Sequence, residues 1–584
     1  MKKLEEIQLR KTISSYGGSG SVVETLKNGS LLIEPYDRWK CYSARELPHR
    51  KEITNPRLLD LIRREPYYAA VERLVDIPTA DLSEVIYKAK EGDTASTIKS
   101  RYFPEWFFCP KCRELHRIKD WEQKWQDTFG ENNSSFKGNS PACYHCSSKD
   151  NKGKYHRKYL QQIRFVMASL DTAQLTDIPF EVLWDMPNDG KAWIFNQSNN
   201  VATDLSYHTS QGGDGLQSVF IKKGDGNNAS IKRMSTIYDK YLVFKQDTTI
   251  RCNGYEVTIK MGAYRVVLRN GTNLYFPNIM SCIYIPRPGN DQVKAVRNLH
   301  EQGLDVEAIF NTIGRALGLS RMQIEDIIGN RNGDENQDLR MGEFNYITNP
   351  ANYKNNNHRC ETDFHAIRYP NLKSKHVKGI YALTQLKETS VLLNYKRISN
   401  AEKRWWSIVQ NEEATIKPGS DFPFTRKPPF MPAVEAYGEG LLFELDSSGI
   451  PADKCLLFIH TFCHLIMKEL EFSCGYPVTS LKEHIYLDED NENMGFIIYT
   501  IQGAEGSYGG LTSLMPSDTN SDGSQGDAQI LKLIDMAVER AKDCPNDPIC
   551  SSEAGHCFAC VDLPETSCEK FNDSLNRMEF LKCY

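Results

Sequence analysis

Cys109-Pro-Lys-Cys112 and Cys143-Tyr-His-Cys146 are two Cys-x2-Cys turns separated by thirty residues. Zinc favours four thiolate or imidazole donors in a tetrahedron, and each such turn offers two sulfurs whose charge the local amides stabilise. Together they predict one closed structural zinc site; His116 and His145 are possible substitutes, but either would leave a cysteine without a role. A second run, DCPNDPICSSEAGHCFACVDLPETSCEKFN, carries five candidates: Cys544, Cys550, Cys557, Cys560 and Cys568. Cys557-Phe-Ala-Cys560 anchors it, and the expected set is Cys550, Cys557, Cys560 and Cys568, with Cys544 competing for the place given to Cys550. A catalytic zinc needs three protein ligands and an open position, and neither run is short of donors, so both read as structural.

Other chemical signals are weaker. His460-Thr-Phe-Cys-His464 has the i, i+4 spacing of zinc proteases, but position 461 is Thr where the general base would stand, so the pair reads as packed or structural. HIYLDED (484 to 490) imitates a Walker B strand, yet no G-x4-G-K-[S/T] loop accompanies it to cradle phosphates. GSYGG (506 to 510) reads as a turn, and Ile309 to Gly329 has the outline of a helix-turn-helix that any packed helical hairpin shares. Two basic stretches lack acids: 151 to 170, with Lys152, Lys154, Arg157, Lys158 and Arg164 interleaved with Tyr155 and Tyr159, and 365 to 387, with Arg368, Lys373, Lys375, Lys378 and Lys387. Such segments neutralise phosphates and offer stacking faces, although solvated charge runs look the same.

The elements that must position these residues divide by composition. Residues 1 to 100 read as an α/β region, 101 to 160 as the four-cysteine knuckle, 161 to 430 as a β-rich middle with a helical insertion, and 431 to 584 as a C-terminal domain with the second four-cysteine site. QQIRFVMASL, YLVFKQ, YEVTIKM, YRVVLR and MSCIYIP are strand-like; TSQGGDGLQSVFIKKGDGNNAS reads as a long surface loop, and 349 to 363 as a polar linker. Leu456 to Phe472 is a buried helix stopped by Gly475 and Pro477, Ser480 and Glu483 resemble a capping box, and Ile530 to Ala541 keeps a helical apolar stripe.

The chain has 584 residues, 71 Lys+Arg against 76 Asp+Glu, and 17 cysteines. A net charge of -5 excludes a globally basic nucleic-acid coat, and no apolar run is long enough to span a bilayer. The N-terminal lysines are not followed by a signal-peptide core, so a cytoplasmic location is expected, where clustered cysteines point to metal rather than disulfides.

With these features in place, the chain resembles the DrmB family, zinc-binding partner proteins of DISARM anti-phage defence systems. The stretches that carry the resemblance include FPEWFFCPKC (103 to 112), IRFVMA (163 to 168), NLYFPNIMSCIYIP (273 to 286), LRMGEF (339 to 344) and MPAVEAYGEGLLFEL (431 to 445). IHTFCHLIMKEL (459 to 470), CGYPVTSLKEHIY (474 to 486) and GHCFACVDLPETSCEKFNDSLNRM (555 to 578) complete it in family order. Two departures stand out: SLDTAQLTDIPFEVLW follows IRFVMA, and a further Cys-x2-Cys knuckle expected between 205 and 240 is absent. The resemblance implies a C-terminal domain similar to one at the ends of certain superfamily-2 helicases, and association with a DrmA-like helicase ATPase on foreign DNA. The expected protein is thus a multidomain α+β, non-catalytic subunit with two structural Zn2+ ions. The competing readings are a metal-dependent nuclease or hydrolase and a zinc-ribbon DNA-binding regulator.

Overall fold

The computed structural model describes the chain apart from residues 1–6, 79–97, 131–140, 196–200, 211–215, 330–338, 398–419, 502–509, 520–528 and shorter gaps of one to four residues. The GSYGG turn lies largely outside the described residues. The fold is mixed α+β and rich in strands, as the sequence predicts. It divides into two compact units, one of residues 1–51, 75–280 and 391–428, the other of 52–74, 281–390 and 429–584. Among the described residues no helix is long and apolar enough to cross a membrane.

In the first unit, β1 (Trp106–Phe108) and β2 (Leu115–Arg117) form a hairpin around the first Cys-x2-Cys turn and lead into α1 (Ile118–Phe129). Ile118, Trp121 and Trp125 share one face of α1 and are buried with Phe107, Cys109, Cys143 and Leu160. Gly130 ends the helix at φ +67°, a left-handed conformation that glycine adopts without a side-chain clash. A two-residue hairpin, β3 (Ser148–Lys149) and β4 (Tyr155–His156), follows the second turn, and β5 (Gln161–Gln162) returns to pair with β1.

The β-rich middle is a five-stranded sheet of β6 (Phe165–Ser169), β7 (Leu175–Thr176), β8 (Ala192–Phe195), β12 (Tyr241–Phe244) and β13 (Gly262–Leu268), ordered β7-β6-β13-β12-β8. β8 and β12 are parallel, whereas the other pairs are antiparallel. Between them, β9 (Leu205–Thr209), β10 (Val219–Lys223) and β11 (Ser230–Arg233) make a second antiparallel sheet. The expected surface loop at 209 to 230 is therefore corrected: Val219 and Ile221 alternate inward on β10 and join the core with Phe165 and Val266. The Gly and Asn content marked the turns and hid the strand between them.

In the second unit, α2 (Asn290–Glu301), a short helix at Val306–Ile309 and α3 (Arg321–Gly329) bury Val296, Ile309, Ile324 and Ile327 against each other. The helix-turn-helix outline is thus a packed helical cluster. After α4 (Leu339–Thr348), an antiparallel sheet runs β14-β15-β16-β17-β19-β18, with β14 (Asn357–Cys360), β15 (Phe364–Tyr369), β16 (Val377–Lys396, to Ser390 in this unit), β17 (Phe430–Leu445), β18 (Leu481–Leu487) and β19 (Met494–Ile501). β14 occupies part of the stretch expected to be a linker.

One face of this sheet carries α5 (Cys455–Cys474), α6 (Gln529–Lys542) and α7 (Arg577–Cys583). α5 is buried on most sides and ends at Gly475 with φ +69°, and α6 buries Ile530, Leu533, Ile534, Ala537 and Ala541, the expected stripe. The Ser480/Glu483 capping box is overturned. Those residues end a 3-10 turn and enter β18, because pairing with β19 satisfies their backbone, and Glu483 points to the two histidines of α5 instead.

Candidate metal centres

The first cluster forms where the β1–β2 turn meets the strand-like segment before β3. Cys109, Cys112, Cys143 and Cys146 bring all four sulfurs within 4.8 Å of one another, and Cys112 and Cys143 Sγ are 3.7 Å apart. Four sulfurs bound at about 2.3 Å in a tetrahedron lie about 3.8 Å from each other, whereas a disulfide would bring two of them to about 2 Å. The donor set therefore fits a zinc ion. The Lys111 N–H donates to Cys109 Sγ at 3.4 Å and the Cys146 N–H to Cys143 Sγ at 3.3 Å, which favours thiolate charge. His116 and His145 bind Glu114 instead of the sulfurs, each at 3.2 Å, and the Tyr144 hydroxyl donates to the same carboxylate at 2.9 Å. The His116 hydrogen bond, foremost, holds Glu114 down to about 2.

β2 also seats this knuckle. Arg117, almost wholly buried, donates to Glu181 at 2.6 Å and to Asp177 at 3.3 Å and lies 4.7 Å over the Trp106 ring. Burial pushes Asp177 up to about 6 against the pull of Arg117. Such a pair offsets its desolvation only while both charges remain.

The second cluster is built at the end of α6. Cys544, Cys550, Cys557 and Cys560 converge within 4.8 Å, with separations of 3.6 Å for Cys544–Cys557 and 3.7 Å for Cys550–Cys560 and Cys557–Cys560. These too are tetrahedral edges, so the four thiols fit zinc. Burial alone would raise Cys557, but the Asn546 side-chain amide and the Ala559 N–H outweigh it and bring the thiol down to about 6. The buried Arg577 guanidinium ties the loop down, donating to Ala541 O at 3.0 Å and to Asp547.

The expected ligand set needs one correction. The structure brings Cys544 into the tetrathiolate and places Cys568 outside it, beside His460, His464 and Glu483. The Cys544–Asn546 turn explains this: Asn546 N–H donates to Cys544 Sγ and its side chain to Cys557 Sγ, each at 3.4 Å, folding the turn onto the anchoring pair. Spacing alone did not show which outer cysteine this turn would deliver.

Of the basic candidates, Lys152, Lys154 and Lys158 are exposed around the β3–β4 hairpin, whose turn is held by Asp150 accepting the Lys152 and Lys154 N–H groups at 2.9 and 2.8 Å. Arg157 is half-buried, its guanidinium 5.7 Å from the Tyr155 ring centre and 5.8 Å from that of Trp125. Nearby, Arg113, Tyr159, Arg164, Tyr207 and Arg269 line part of a cavity of about 520 Å³ that the sequence did not reveal, because β9 and the segments flanking β1, β5 and β13 bring them from distant positions. In the other basic stretch, Lys387 is not a surface cation: it is buried and paired with Asp363 at 2.9 Å and Glu435 at 3.2 Å.

Together the fold and the two clusters define an α+β protein with two four-cysteine groups, each of which could hold a metal ion. Residues 8–276 match a family model described as a domain of unknown function (DUF8724). The chain is also similar to the DISARM protein DrmB of Bacillus paralicheniformis, with 25% identity over 381 residues, 54% of this chain and 64% of the relative, so it spans less than two thirds of that protein. This similarity agrees with the resemblance read from the sequence. A crystal structure of the DUF1998 helicase MrfA bound to DNA matches 38% of this chain and 26% of its own at 9% identity and a TM-score of 0.21, too slight to assign a fold.

Proposed function

We propose that the chain is a zinc-braced accessory subunit of a phage-defence complex that joins a DrmA-like helicase ATPase and helps it engage foreign DNA. The observation that carries this reading is the pair of closed tetrathiolate clusters in a chain similar to a DISARM DrmB protein. Four thiolates fill a zinc ion's coordination, so such ions hold shape rather than activate water. The DNA contact is assigned to the β3–β4 hairpin, where Lys152, Lys154 and Lys158 are exposed beside Tyr159, itself 56% exposed. Lysines there neutralise phosphates and the aromatic ring offers a stacking face. The protein acts in the cytoplasm, where its thiols stay reduced.

Co-expression of the full chain with a DrmA-like helicase, followed by size-exclusion chromatography, tests the partnership. A co-eluting complex that survives nuclease treatment is expected. Separate elution of two folded, zinc-loaded proteins would remove this reading.

A further inference from the structure

We infer that His460, His464, Glu483 and Cys568 form a third, wholly buried zinc site in the second unit. The donors come from three places: the i, i+4 face of α5, the start of β18, and the segment following the second tetrathiolate. Their ligand atoms all lie within 4.8 Å of one another. His460 Nε2 is 3.2 Å from Cys568 Sγ and 3.3 Å from Glu483 Oε1, and His464 Nε2 is 3.2 Å from Glu483 Oε2. Nitrogen and oxygen at about 2.0 to 2.2 Å and sulfur at about 2.3 Å from a tetrahedral centre would be separated by about 3.3 to 3.6 Å.

The tautomers are those a cation at the centre would select. His460 Nδ1 lies 2.8 Å from Asp573 O and His464 Nδ1 lies 3.0 Å from Val561 O. A carbonyl can only accept, so each Nδ1 carries the proton, and in the neutral rings both Nε2 atoms turn a lone pair toward the Glu483 carboxylate and the Cys568 sulfur. The Glu483 carboxylate is an acceptor as well, and so is Cys568 as a thiolate. Asn572 N–H already donates to Cys568 Sγ at 3.2 Å and Glu569 N–H to Glu483 Oε1 at 3.1 Å, as outer partners of metal ligands commonly do. Among the described residues His464 Nε2 and Glu483 Oε2 are buried without a hydrogen-bond partner, and the side chains of His460, His464 and Glu483 are 0% exposed.

Protons could fill the gaps as well, the Cys568 thiol donating weakly to His460 Nε2 and one proton being shared between His464 Nε2 and Glu483 Oε2, but that arrangement joins the groups only in pairs, whereas a metal ion engages all four donors at one centre. One divalent ion bound by a carboxylate, a thiolate and two neutral imidazoles closes the charge to zero. The mixed nitrogen, oxygen and sulfur set suits zinc, and four protein donors make the site structural. The Glu missing at position 461 is supplied by Glu483 from β18, as a ligand rather than a base. Zinc here would pin α5, β18 and the tail around Cys568 into one body.

The site is tested on the full chain, purified, equilibrated with zinc and freed of excess metal. Elemental analysis should find about three zinc ions per chain. After exchange into 113Cd, the NMR spectrum should show two tetrathiolate resonances and a third well upfield, as expected of nitrogen and oxygen donors. The Cys568→Ser and His464→Gln variants should each lose the upfield resonance and about one ion while retaining both tetrathiolate signals. Because the spectrum of the unaltered chain is itself a test, a variant that fails to fold does not blunt it. Two ions and two resonances in the unaltered chain would overturn the inference, whatever the outcome with the helicase.

Discussion

The two tetrathiolate clusters use the same chemistry and were unequally legible. In the first, two Cys-x2-Cys turns each deliver both sulfurs from adjacent backbone, one in the hairpin of β1 and β2 and one before β3. In the second, only Cys557 and Cys560 form such a turn, whereas Cys544 and Cys550 arrive from the end of α6 and from the short helix at Ile549–Ser552. The lesson is that local spacing identifies donors whose geometry is local. Where tertiary packing chooses the ligand, the choice between Cys544 and Cys568 depends on Asn546, Arg577 and the histidines of α5, which no spacing rule contains.

The largest effect expected from breaking this comparison is loss of a tetrathiolate ligand. Structural zinc is worth about 10 to 16 kcal/mol in small modules, comparable with a whole domain's stability. Cys112→Ser should release one ion and open the first knuckle to protease, and Cys544→Ser should do the same at the second, read by metal content and limited proteolysis. Cys568→Ser sharpens the contrast: cobalt substitution should show thiolate-to-metal absorption from both tetrathiolates retained, whereas Cys544→Ser should lower it.

The next effect concerns how the first knuckle is seated. Arg117→Met leaves Glu181 and Asp177 buried without their cation and should cost about 3 to 5 kcal/mol in urea unfolding, with both metal ions of the tetrathiolates still bound below the transition. The four-cysteine site then survives while its attachment weakens.

A smaller effect follows from Asp177. Its carboxyl is pushed up to about 6 by burial, opposed in part by Arg117, while its unfolded value is about 3.9. Between about pH 4 and 6 the folded chain therefore binds more protons than the unfolded one, so this group's contribution falls as pH rises through that window and levels above it. Asp177→Asn should flatten that decline in the urea midpoint.

The smallest effect is at the β3–β4 hairpin. Replacing Lys152, Lys154 and Lys158 with Ala should leave folding unchanged and weaken DNA binding at low salt, lowering the salt slope by about 0.7 to 0.9 for each phosphate left without its lysine. An unchanged slope would move the DNA-binding surface elsewhere.

The sequence made the long periodic elements plain: the 3.6-residue stripe of α6, the glycine stop of α5 and the strands of the middle sheet follow from local pattern. It misled where a local signature met a tertiary demand. Ser480 and Glu483 looked like a helix start, but the sheet needed β18, and β10 lay hidden in glycine-rich sequence because only Val219 and Ile221 turn inward. The His460/His464 pair has Thr at position 461, and the carboxylate beside it, Glu483, stands nineteen residues beyond His464, on another element.

The central claim, a zinc-braced subunit that serves a helicase motor, is tested most directly by ATP turnover. The purified chain alone should hydrolyse no ATP, and adding it to a DrmA-like helicase should raise DNA-stimulated turnover. Hydrolysis by the isolated chain, abolished by substitution within His484 to Asp490, would contradict it.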